Sequence, residues 1–125
     1  MKGVVVRKIK LVHEDDRRGI FEIMNGEMAV KNLKILKIKK GTQLLGNHWH
    51  QYPEVMYVMK GKAIYKMKNI DTKEEKTFIL KEGDVVFRTG RIIHAGLFEE
   101  DSIIIDAACE SYISADFNDV QEDIL

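Results

Sequence analysis

A chain of 125 residues is long enough for one domain with its own hydrophobic core, and it needs no disulfide or structural metal to hold it together. Acidic and basic side chains balance at twenty each, which excludes the basic excess of a nucleic-acid surface, and the single cysteine, Cys109, excludes an internal disulfide. No stretch approaches a membrane span and the N-terminus lacks the apolar core of a signal peptide, so a cytoplasmic protein without nucleic-acid or membrane partners is expected.

Read in order, the chain is a succession of short strands. Val4-Val5-Val6 leads into Arg7 to Val12, where Ile9 and Leu11 alternate with basic residues and predict one half-buried strand. A polar turn from His13 to Gly19 precedes Ile20 to Met24, and Asn25-Gly26 turns the chain again. In Ala29 to Lys40, Leu33 and Ile35 share one parity while Leu36 and Ile38 share the other. That pattern predicts a β-bulge or a strand buried on both faces.

The stretch from Gly46 to Gly61 carries the strongest chemical signal. Two of the protein's four histidines, His48 and His50, flank Trp49, and Glu54 follows. On an extended chain the two imidazoles share a face about 6.5 to 7 Å apart at Cα, and Trp49 points away. Glu54 has the same parity, although Pro53 implies a bend before it. His94 adds a third imidazole further along, completing a set of three nitrogens and one oxygen that suits iron, manganese, nickel, copper or zinc.

Beyond Glu54, the runs Val55 to Met59 and Ala63 to Asn69 surround Gly61 and predict a β-hairpin. Further strands are expected at Thr77 to Leu80, at Val85 to Arg88, around His94, and at Ile103 to Cys109, the last a buried central strand. The acidic segment from Ser114 to Leu125 is expected to be a short helix or a tail, with Ser114 or Asp116 as its cap. Eight to ten short strands with almost no helix predict an all-β sandwich or barrel.

The order His48, His50, Glu54 and Gly61, followed by Gly83 and His94, resembles the two motifs of the cupin superfamily. Within the second motif, Thr89 stands where the pattern has proline and Arg91 where it has glycine. The resemblance implies a single cupin domain over residues 1–125, a jelly-roll β-barrel that holds a divalent transition metal on His48, His50, Glu54 and His94. It also implies a homodimer, with the apolar N-terminal strand a candidate for exchange between subunits. Asp16-Arg17-Arg18-Gly19-Ile20-Phe21 and Gly46-Asn47-His48-Trp49-His50 are similar to segments of sugar-nucleotide epimerases and ketoisomerases. A small molecule in the barrel mouth is the implied ligand.

Three functions follow as expectations. A keto-sugar isomerase or epimerase would use His48 or His50 as base, with Tyr65 or Tyr57 supplying a proton. Arg18, Arg88, Arg91 and Trp49 would then be expected around the barrel mouth. A metal-dependent dioxygenase would hold iron on the histidines and Glu54 with open positions for oxygen. A noncatalytic cupin would only bind its small molecule.

Overall fold

The computed structural model describes residues 1–111 and Asn118–Asp119. Among these residues the alternating patterns form twelve strands and no helix. One sheet runs in the order β1 (Val4–Lys8), β9 (Asp84–Arg88), β6 (Glu54–Lys60), β11 (Ser102–Ala108) and β4 (Asn32–Ile38). A second runs β12 (Asn118–Asp119), β5 (Gln43–Trp49), β10 (Ile92–Phe98), β7 (Lys62–Asn69) and β8 (Glu75–Lys81). Strands β2 (Lys10–Glu14) and β3 (Gly19–Glu22) pair only with each other. All pairings are antiparallel.

The core lies between the two five-stranded sheets. Met56, Val58, Val86 and Ile104 come from the first sheet; Ala63, Tyr65, Met67, Leu80 and Phe98 come from the second. Strand β7 displays the period of two plainly, with Ala63, Tyr65, Met67 and Asn69 buried and the intervening residues half-buried. Each large apolar side chain buried this way contributes about 1.5 to 3 kcal/mol.

Several sequence expectations need correction. β6 and β7 are not a hairpin, because they belong to different sheets. Gly61, at φ 100°, makes the sharp step between them, a conformation costly for any residue with a Cβ. β7 instead pairs with β8 on one side and β10 on the other.

The N-terminal strand is two strands. It breaks at Ile9, whose N–H donates to Gly83 O at 2.7 Å, and the chain then leaves the sheet as the β2–β3 arm. In β4 the register against β11 is unbroken, so there is no bulge. Leu36 and Ile38 turn inward, while Leu33 and Ile35 remain 67% and 65% exposed on the outer face. Cys109 lies just past β11 and is half-buried. Of the expected C-terminal helix or tail, only Asn118–Asp119 is among the described residues, and it pairs as a strand with β5.

Candidate functional site

The site is built from inward-facing residues at one end of the two sheets. β5 and β10 lie side by side with His48 directly opposite His94. The alternation of β5 brings His50 to the same interior as His48. Ring centroids lie 4.4 Å apart for His48 and His94, 5.4 Å for His48 and His50, and 6.2 Å for His50 and His94. All three rings are buried. Trp49 points the other way, as the period of two requires, and packs with Ile93 and Ala95 on the reverse face.

The opposite wall comes from the first sheet. Glu54 pairs across the strands with Arg88 of β9 on one side and Ala108 of β11 on the other, which sets Asp106 on the diagonal. Arg88 Nη2 approaches Glu54 Oε1 at 3.2 Å, and the same oxygen lies 3.6 Å from His50 Nε2. Asp106 shares a hydrogen bond with Glu54. Two carboxyls, one guanidinium and one imidazole thus meet in the interior.

Their environments drive the carboxyls apart. Burial pushes the Glu54 carboxyl up, but the Arg88 guanidinium, with the His50 imidazole, outweighs that and holds it below the usual range. Burial, and then the Glu54 charge, push Asp106 up to about 7 against Arg88 and Lys34. Asp106 therefore keeps its proton up to neutral pH and donates it to the Glu54 carboxylate. Burial also raises the Tyr65 hydroxyl to about 12, so it stays protonated. The Arg88 guanidinium, desolvated but faced by Glu54, Asp106 and Tyr65, is held even more firmly charged than usual.

His94 is pushed well below the ordinary histidine value by burial, by Arg88 and by His48. Its Nδ1 lies 3.2 Å from Ile92 O, which can only accept, so the neutral ring carries its proton on Nδ1 and leaves Nε2 as an acceptor. Tyr52 stacks on His50 with centroids 4.9 Å apart and planes at 13°. These groups line a cleft of about 720 Å³, reckoned out to its solvent-open mouth, together with Asn32, Lys34 and Leu36 of β4.

The four expected metal ligands all line the cleft. The three imidazoles face one another, but Glu54 Oε1 faces the Arg88 guanidinium, a fixed cation that a divalent ion would have to displace or sit beside. Among the described residues no group of three or more histidine, cysteine, aspartate or glutamate side chains has the geometry to hold a metal ion. The arrangement does not fit a three-histidine, one-glutamate cation.

No protein-family model matches the sequence, and no curated protein matches it. Solved structures do match. The TDP-quinovose 3,4-ketoisomerase WlaRB from Campylobacter jejuni superposes with a TM-score of 0.82 at 14% identity, covering 96% of this chain and 95% of that one. QdtA, a sugar 3,4-ketoisomerase from Thermoanaerobacterium thermosaccharolyticum in complex with TDP, gives 0.79 at 19% identity, over 97% and 90%. ChmJ, a 3'-monoepimerase from Streptomyces bikiniensis in complex with dTDP-quinovose, gives 0.80 at 15% identity, over 94% and 69%.

The fold is a cupin-type jelly roll. At such identities the likeness shows the fold alone, an all-β jelly roll. Within this fold, His48, His50, Glu54, His94 and Tyr65 all line the cleft. Tyr57 does not, because it has the opposite parity to Glu54 and Met56 and packs on the outer face of β6 with Val55, Val85 and Ala107. Of the four residues expected around the mouth, only Arg88 lines the cleft; Arg18 lies on the arm, and Trp49 and Arg91 pack together behind the sheet. Asp106 and Tyr52 were missed. Asp106 had a legible signal, a lone carboxylate on the inward parity of an otherwise apolar strand.

Proposed function

We propose that this cupin is an isomerase or epimerase of a keto sugar carried on a nucleotide. The observation that carries the reading is a poised pair in one cleft: His50 beside the Glu54 carboxylate at 3.6 Å, and Asp106 still protonated near pH 7. Glu54 and Asp106, two neighbouring carboxyls whose surroundings favour opposite protonation states, suit a reaction that removes one proton and returns another. The matching structures are of sugar 3,4-ketoisomerases and a 3'-monoepimerase, which supports the same class.

In the proposed reaction His50 takes the proton from the carbon next to the ketone, and the electron pair moves onto the carbonyl oxygen. The Glu54 carboxylate stabilises the imidazolium that forms. The Tyr65 hydroxyl donates a hydrogen bond to the developing enolate oxygen. For isomerisation, the enolate oxygen takes the Asp106 proton and becomes a hydroxyl, the hydroxyl on the first carbon passes its proton back to Asp106 and becomes the new ketone, and His50 returns its proton to the former carbonyl carbon. For epimerisation, the proton returns to the same carbon from the other face. Neither course needs an oxidant. His48 and neutral His94, whose Nε2 accepts, hold sugar hydroxyls, and exposed Lys34 at the mouth offers a cation to a phosphate.

We also infer a homodimer. The outer face of the first sheet and the β2–β3 arm leave Val5, Phe21, Leu33 and Ile35 all more than half exposed, an apolar load that a second copy would cover.

The decisive experiment incubates the protein with TDP-4-keto-6-deoxyglucose in deuterated water and follows the sugar by NMR. Deuterium should enter next to the ketone, a new isomer should accumulate, and His50→Ala should slow both at least a hundredfold. No exchange at any sugar carbon overturns the reading and leaves a binding protein.

A further inference from the structure

Arg91 occupies a backbone position that a residue with a side chain normally avoids. Its φ is 69°, in the left-handed region that favours glycine, at the point where the cupin pattern has glycine. Holding an arginine there requires compensation, and it comes from two sides. Arg91 Nε and Nη2 fork onto the Asp71 carboxylate at 2.9 to 3.1 Å. Its Cζ lies 5.1 Å from the centroid of the Trp49 ring. Asp71 is itself fixed in the turn between β7 and β8, where its N–H donates to Asn69 Oδ1 at 2.9 Å.

The backbone held by this contact reaches two histidines of the cleft. Arg91 N–H donates to His50 O at 2.8 Å, and one residue later Ile92 O accepts from His94 Nδ1 at 3.2 Å. Gly90 is pressed so close that a Cβ on it would overlap the Gln51 carbonyl, so the turn cannot slide toward β5. Trp49 is the residue between His48 and His50, and its outward side chain ends on Arg91. The outer surface of the sheet and the interior imidazoles are therefore joined through three adjacent contacts.

We propose that Trp49, Arg91 and Asp71 form a clamp behind the sheet that sets the orientation of His50 and the tautomer of His94, which makes Arg91 a positioning residue for proton transfer. The proposal rests on the isomerase reading for its kinetic effect, but its structural effect stands apart from it.

The test compares wild type with Arg91→Gly, which relieves the backbone while removing the clamp, and with Asp71→Asn, which leaves the backbone alone. The kcat and KM for the keto-sugar nucleotide are measured beside long-range proton–nitrogen NMR spectra of the imidazoles. Arg91→Gly should lower kcat about tenfold with KM within about twofold and with the melting temperature retained. The His94 signals should lose their single Nδ1–H tautomer in both variants. Wild-type kcat and wild-type imidazole spectra in both variants overturn the clamp. If the wild type turns over no keto sugar, the proposed function fails on its own, and the spectra still decide: unchanged His50 and His94 signals in Asp71→Asn and Arg91→Gly overturn the positioning role.

Discussion

Replacing Asp106 with asparagine should stabilise the protein relative to wild type progressively as pH rises from about 4 to about 7. The carboxyl sits near 7 in the folded chain against an ordinary 3.8, because it is buried beside the Glu54 charge. Below 3.8 it is protonated in both folded and unfolded chains and contributes no pH dependence. Between the two values the unfolded chain releases the proton while the folded chain keeps it, so folding stability falls with rising pH. Above about 7 the loss is complete. At about 1.4 kcal/mol for each tenfold change, the full loss is on the order of 4 kcal/mol, and relaxation around the charge would reduce it to about 2.

An asparagine has nothing to titrate, so the variant escapes that loss. Glu54, held low, acts in the opposite sense, losing its contribution as pH falls through its depressed value, and it is present in both proteins. Urea unfolding followed by fluorescence of Trp49, the single tryptophan, measures the difference at each pH. The gap between variant and wild type should widen by about 2 to 4 kcal/mol from pH 4 to pH 8. A gap constant to within about 0.5 kcal/mol across that range would refute the shared-proton account of Glu54 and Asp106.

Gly96→Ala places a Cβ 2.6 Å from the Tyr65 ring, so the phenol must shift. Overpacking of this kind costs about 1 to 3 kcal/mol and should lower Tm by roughly 5 to 10 °C in calorimetry, with kcat falling as the Tyr65 hydroxyl moves. Turnover should survive prolonged treatment with a chelator, because Glu54 already faces the Arg88 cation; activity lost on chelation and restored by one metal would reverse that expectation. Ile35→Lys, on the exposed outer face of β4, should convert a dimer to a monomer in light scattering, and a monomeric wild type would remove the dimer.

What could be read in advance followed the strand period. His48 and His50 facing inward, Trp49 facing outward and the convergence of His94 all follow from alternation and from the two motifs, and the structure has each of them. Of the two tyrosines offered as proton donors, Tyr65 lines the cleft and Tyr57 does not, because Glu54 and Met56 take the inward parity of β6. Periodicity says that β6 and β7 are strands but not that Gly61 sends them to different sheets. Nor can it reveal Arg88 and Asp106 as partners of Glu54, since that depends on the register of β9 and β11 against β6. The exposed Leu33 and Ile35 read as core from sequence because hydrophobicity alone does not distinguish the interior from an exposed sheet face.

The order of the first sheet has a consequence for how the protein comes to be folded. None of its neighbouring strands are consecutive in the chain, and in the second sheet only β7 and β8 are. Each pairing must close a long loop before any contact repays the lost entropy, which places the chain among slow folders, in the millisecond to second range. Glu54, Arg88 and Asp106 sit on three such strands. Their charges leave water only when all three strands have docked, so the cleft chemistry is a late event in folding and a sensitive reporter of its completion.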